Sequence, residues 1–182
     1  LVKNFIKELP NGNLIMANLI FKFDNIKQTY DGLKGCVFTN GCFDILHRGH
    51  IELFKFAYRQ AIVGSSTVVG VNSDKSIREL KGPDRPIMKE EDRLAVLKAI
   101  KWIDYIIVFD TKSVFPVIEE LSPRVLVKGG NYSKKACAEA DRIVGEEYVE
   151  SYGGKVMTAP LIEGVSTTTI LERIKNENAD SH

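Results

Sequence analysis

Asn40-Gly41-Cys42-Phe43-Asp44-Ile45-Leu46-His47-Arg48-Gly49-His50 decides how this chain is read, because of what flanks it. Before it, Cys36 to Asn40 (CVFTN) is an apolar run of strand length. After it, Gly49 to Ala61 carries Ile51, Phe54, Ala57 and Tyr58 at helical spacing, so the stretch is the turn of a β-turn-α unit. The alternation then continues. Strands are expected at Thr67–Val71, Tyr105–Phe109, Arg124–Lys128 and Lys155–Thr158. Helices are expected at Glu90–Ile100, Ser113–Leu121 with Pro116 in its first turn, Ala138–Tyr152 and Thr167–Asn176, with Asn72–Met88 as a long charged loop. Short apolar strands alternating with helices predict an α/β fold: an open parallel five-stranded sheet with helices on both faces and ligands at the carboxyl ends of its strands.

The composition excludes several classes of function. With 182 residues, 44% apolar and 27% charged, the chain has globular proportions and room for one core. Twenty-five Lys and Arg against 24 Asp and Glu leave a net charge of +1, so no nucleic acid partner is expected and any anion site must be local. Cys36, Cys42 and Cys137 have no CxxC spacing, which fits a reducing cytoplasm better than a disulfide framework. The apolar run Leu14–Phe21, broken by Asn18, is too short to cross a bilayer, and no cleavage site follows it; a cytoplasmic protein with no membrane partner is expected. Residues 1–34 are taken as an N-terminal extension, partly flexible and without assigned function, with Met16 a plausible start. Residues 35–178 form the domain and 179–182 a tail.

The quoted stretch carries the chemistry. His47 and His50, three apart at a helix start, face one side and can share a phosphate. The same helix terminus supplies unpaired N–H groups and depresses an imidazole's pKa. Gly49 lets a phosphate approach the backbone, and Gly41 allows the sharp exit from the strand. Cys42, His47 and His50 could in principle bind zinc, but no fourth ligand supports a metal site. Lys81 lies in the charged loop, which leaves another strand's carboxyl end and can fold over phosphates. Asn72, Ser73 and Asp74 either cap the next turn or line the acceptor cleft. Lys128-Gly129-Gly130 suggests a backbone approached by a flat ligand or a plain turn. Gly164-Val165-Ser166-Thr167-Thr168 precedes the last helix as a second anion cradle, with Thr169 and Glu172 at capping-box spacing.

GCFDILHRGH resembles the GxFDxxHxGH signature of the cytidylyltransferase-like nucleotidyltransferases, within the HxGH superfamily. FTNGCFDILHRGH, VGVNSDKSIRELKGPDRPI, EEDRLAVLKAI, VLVKGGNY and EGVSTTTILERI follow in the family's order, nearest its heptose 1-phosphate adenylyltransferases. The resemblance implies a Rossmann-like fold and transfer of a nucleoside monophosphate from an NTP, ATP favoured, to a sugar 1-phosphate, with pyrophosphate leaving. CTP with glycerol 3-phosphate or a similar alcohol phosphate is the alternative, and a nucleotide-binding regulatory module is the non-enzymatic one. It implies His47, His50 and Lys81 as catalytic. It implies Thr39, Asn40, Gly41, Cys42, Phe43, Asp44, Gly49, Lys128–Gly130 and Gly164–Thr168 around the nucleotide, and Asn72, Asp74, Arg85 and Arg93 around the acceptor. Arg93 is otherwise a helix-surface partner of Glu90. Mg²⁺ would enter with the NTP, and a homodimer is one assembly open to it. Asn131 departs from the pattern, which has an acid there.

Overall fold

The computed structural model describes residues 6–8, 14–16, 19–23, 33–130, 143–160 and 162–179. Strands β1 (Ile6–Glu8) and β2 (Leu14–Met16) form a small antiparallel pair of their own, with Ile6 opposite Met16. The main sheet holds β3 (Leu19–Lys22), β4 (Val37–Gly41), β5 (Thr67–Asn72), β6 (Tyr105–Phe109), β7 (Val125–Gly129) and β8 (Lys155–Ala159), in the order β3-β6-β5-β4-β7-β8. Every pairing in it is parallel. Helices α1 (Arg48–Gln60), α2 (Asp74–Lys81), α3 (Glu90–Lys98), α4 (Phe115–Leu121), α5 (Glu146–Ser151) and α6 (Thr167–Ala179) connect or follow these strands.

Strand side chains alternate between faces, so each central strand feeds two cores. Phe38, Val68, Ile107 and Leu126 pack with Val117, Ile118 and Leu121 of α4 and Val149 of α5. Val37, Val69, Ile106 and Val125 pack on the other face, with Leu53, Phe54 and Ala57 of α1 and Leu97 of α3. Burial on both faces explains why these strands read as continuous apolar runs.

Three expectations are corrected. The sheet has six strands, because Leu19–Lys22 lies parallel to β6 at the edge, with Leu19 opposite Tyr105. The Lys22 ammonium also pairs with Glu90 at the start of α3. A four-residue edge strand held by backbone bonds leaves little periodic signal. The segment 72–88 is not all loop. Ser73 caps α2 by accepting the N–H of Ser76 at 3.1 Å, and Asp74 sits in its first turn. With only Ser76 and Ile77 buried, α2 has too narrow an apolar face to stand out in the sequence. The helix expected at 138–152 is described only as α5. Gly145 precedes it at φ +87°, left-handed backbone that a helix cannot continue through; residues 138–142, Cys137 and Asn131 lie outside the described residues.

Gly70, in β5, has a packing reason. A Cβ there would lie 2.7 Å from the Phe38 ring and 3.1 Å from Cβ of Asn40. Gly70→Ala is expected to lower the urea unfolding free energy by about 1–3 kcal/mol, the usual cost of overpacking; an unchanged midpoint would show that the Phe38 ring yields freely.

Candidate active site

The carboxyl end of β4 turns sharply into α1, and its geometry is fixed from below. Phe43 has φ +48°, an uncommon conformation for a bulky side chain. Its buried ring rests 5.1 Å from Phe54 and stands edge-on to His50 at 5.2 Å. A Cβ at Gly41 would meet that ring at 3.1 Å, so glycine there lets the aromatic fold back under the turn.

Two charged residues next to the turn act as its fasteners. Asp44 is 2% exposed and accepts the N–H groups of Ile87 at 3.0 Å and Met88 at 2.8 Å, and Nε–H of Arg85 at 2.7 Å. Burial alone would raise its pKa, but the two amides and the Arg85 charge together hold it below the ordinary carboxylate value. Arg93 is buried in α3 and donates to four acceptors. They are the carbonyls of Met88 (3.2 Å), Cys42 (2.7 Å) and Asn72 (2.9 Å) and Oδ1 of Asp74 (2.7 Å). Asn72 donates in turn to Oγ of Ser76 at 2.9 Å, and Oδ1 of Asn72 lies 3.9 Å from the Cys42 thiol.

The residues expected around the acceptor thus divide differently. The Arg93 side chain is fully buried and spent on protein acceptors, which corrects both a substrate role and a surface helix pair for it. Asn72 and Asp74 belong to the same buried network, and Arg85 is tied to Asp44. Thr39 is fully buried within β4 and is not part of the cavity wall.

Above these fasteners the histidines meet. His47 is the N-cap of α1, with extended backbone and no side-chain cap bond, and the first turn holds no acid. The helix terminus is therefore not neutralised by its own sequence. The two imidazoles stack, with centroids 3.7 Å apart and planes at 23°. A Cβ at Gly49 would stand 3.0 Å from the His47 ring, so glycine there leaves room for the stack. Nδ1 of each ring is buried and has no hydrogen-bond partner among the described residues. Burial lowers the pKa of both. That of His50 falls to about 3 through burial, then the charges of His47 and Lys81. Lys81, the exposed last residue of α2, is thus close enough for its charge to reach His50.

A second helix start faces the first. Oγ of Ser166 accepts the N–H of Thr169 at 3.0 Å, so the cap of α6 is Ser166, one turn earlier than the Thr169–Glu172 spacing suggests. The Val165 carbonyl would lie 3.7 Å from a Cβ at Gly49. Between the two starts opens a cavity of about 280 Å³. Asn40, Gly41, Phe43, His47, Gly49 and His50 line it from the first unit, and Lys128, Gly129 and Gly130 from the end of β7. Pro160, Ile162, Val165 and Ser166 close it. Gly164 (φ +70°), Thr167 and exposed Thr168 flank Ser166 without entering the wall, and Cys42 stands beside it. None of the described lining residues is acidic, and no group of three His, Cys, Asp or Glu among the described residues could hold a metal ion. No described helix is long and apolar enough to cross a membrane.

A family model described as cytidylyltransferase-like matches residues 38–173. Bifunctional protein HldE of Alcanivorax borkumensis is 49% identical over 142 residues, which cover 78% of this chain and 28% of that protein. HldE of Syntrophotalea carbinolica is 48% identical over 141 residues, covering 78% and 27%. The chain therefore spans little more than a quarter of the length of these curated relatives. Among solved structures, the lipopolysaccharide core biosynthesis protein from Thermoplasma volcanium GSS1 superposes with a TM-score of 0.53 at 23% identity, covering 81% of this chain and 99% of that one. The macrolide-efflux protein from Streptococcus pneumoniae superposes with a TM-score of 0.62 at 23% identity, covering 86% and 57%. These two likenesses show the shared fold.

Two outcomes follow from the geometry. Arg93→Ala leaves buried carbonyls and Asp74 without their donor, and should cost about 3 kcal/mol in urea unfolding, with Arg93→Lys recovering little of it because ammonium lacks the guanidinium fork. The unfolded chain protonates His50 near 6.5 whereas the folded one does so near 3. Protonation in that window favours unfolding, so stability should fall as pH drops from 6.5 towards 3, and His50→Gln should flatten that slope. An identical slope in the variant would mean that His50 is not held neutral.

Proposed function

The chain belongs to the cytidylyltransferase-like family, a family of nucleotidyl-transferring enzymes, and on that premise we propose that it transfers a nucleoside monophosphate, AMP from ATP, to a heptose 1-phosphate. The observation that carries the reading is the cavity between two helix starts. A stacked and uncharged histidine pair forms one wall, hydroxyl and amide groups the other, and no described carboxylate lines it. Such a wall suits a polyphosphate, since each donor points at developing negative charge and none must be reorganised during the reaction.

The acceptor phosphate oxygen attacks the α-phosphorus in line, the bond to the bridging oxygen breaks, and pyrophosphate departs. No protein nucleophile is needed for this exchange. His47 and His50, neutral before binding, each donate one N–H to phosphate oxygens, and Lys81 at the end of α2 brings a mobile charge to the leaving pyrophosphate. Gly129 and Gly130 at the tip of β7 leave a flat surface for the base. Ser166 and the α6 start hold the tail. Mg²⁺ accompanying the triphosphate would screen its charge and would take its ligands from phosphate oxygens and water, since Asp44, the carboxylate of the turn, is committed to Arg85, Ile87 and Met88. The choice of ATP and a heptose phosphate draws on the likeness to HldE and on KGGNY and EGVSTT; the reaction is that of this domain, whatever the rest of a longer chain does.

Pyrophosphate release is the test, measured with ATP or CTP against heptose 1-phosphate or glycerol 3-phosphate. Turnover with ATP and the heptose phosphate is expected. Turnover only with CTP and glycerol 3-phosphate replaces the substrates, and nucleotide binding without release in any pair replaces the enzyme by a binding module. His50→Ala should lower turnover by about 10²-fold or more with a small change in nucleotide affinity, as for loss of a transition-state donor.

A further inference from the structure

Lys128 is placed as no other cation of the described chain is. It sits next to last in β7, is partly buried, and lines the cavity. Its ammonium donates to Oδ1 of Asn40 at the end of the neighbouring β4. No carboxylate pairs with it among the described residues. Burial draws its pKa down to about 8, and no acidic neighbour pulls it back.

A buried ammonium without an acid is costly, and an apolar side chain of the same length would serve the fold better. The Asn40 carboxamide takes one of its three N–H donors, leaving two for something that enters the cavity. The position then selects an atom. His47, His50 and Ser166, at the starts of α1 and α6, line the same cavity as Gly129 and Gly130 at the end of β7. Asn40 holds the ammonium beside β4, the strand that leads into the turn bearing His47 and His50.

We propose that Lys128 binds a non-bridging oxygen of the α-phosphate of the bound nucleotide, with Asn40 aiming its ammonium. The proposal rests on the nucleotidyltransferase reading above. It adds a charge at the phosphorus under attack, where the histidines and Lys81 serve the leaving tail.

Calorimetric titration of the chain with adenosine, AMP, inorganic pyrophosphate and ATP tests this, using the wild type, Lys128→Met and Asn40→Asp. In Lys128→Met the AMP dissociation constant should rise about tenfold or more, the scale of a lost charge-assisted hydrogen bond. Adenosine and pyrophosphate should stay within about twofold, and the melting temperature should equal or exceed that of the wild type, since a buried unpaired charge has gone. Asn40→Asp supplies a carboxylate that occupies the ammonium and repels phosphate, and should show the same loss confined to AMP. Equal losses for adenosine and AMP would move the contact to ribose or base. A loss confined to pyrophosphate would move it to the tail. Unchanged AMP affinity, or a Lys128→Met chain that melts earlier or does not fold, would make the lysine structural; each of these overturns the proposal. If the wild type binds neither ATP nor CTP, the nucleotidyltransferase reading itself falls, an outcome distinct from all of the others; if CTP is the ligand, cytidine and CMP replace adenosine and AMP.

Discussion

The Arg93 guanidinium is the contact on which the site depends. One fully buried side chain from α3 joins the β4–α1 turn at Cys42, the tip of β5 at Asn72, the first turn of α2 at Asp74 and the segment before α3 at Met88. Three stretches of chain, at Cys42, Asn72–Asp74 and Met88, thereby share one rigid planar fork. Asp44 repeats the arrangement with the opposite charge, since its carboxylate collects the amides of Ile87 and Met88 and the Arg85 guanidinium. The turn bearing the histidines is thus held by two buried charges. Neither charge faces the cavity, whose described lining holds no carboxylate.

That separation is the electrostatic logic of the site. A polyphosphate needs donors without competing acceptors, and Asp44 and Asp74, the carboxylates of the network that holds the turn, are engaged beneath it. The His47–His50 stack would repel itself if both rings were charged, and burial already drives each towards the neutral form. A neutral imidazole still donates one N–H, so the pair can meet a phosphate without first losing protons. The two helix termini supply the remaining positive field at fixed positions.

The sequence was most legible where burial on both faces forces long apolar strands, and where the glycine-flanked histidines interrupt a β-to-α transition. That was enough for the alternation of the central strands with helices and for the two histidines that line the cavity. It was least legible where a charged side chain could face either way. Arg93, Arg85 and Asp44 have the residue types of a substrate site and occupy its neighbourhood, yet their partners are backbone and side-chain groups of the protein itself, most of them distant in sequence, which no local pattern encodes. Only the fold decides that an arginine in EEDRLAVL points inward. The same holds for β3, whose place is set by the open edge of β6, and for α2, whose cap at Ser73 matters more than its narrow apolar face.

Two lysines near the cavity then illustrate what burial does to one functional group. Lys81 is exposed at the end of a short helix. Lys128 is confined at the end of a central strand and held in place by Asn40. A solvated ammonium gives up little on meeting an anion and gains little, whereas a desolvated one has already given up its water and gains more. The fold bears the cost of that desolvation in the free protein. A position where the native residue is poorer for stability than an apolar substitute is one where packing alone cannot account for the choice, and in a cavity bounded by two helix starts the missing counter-charge is most simply the ligand's own.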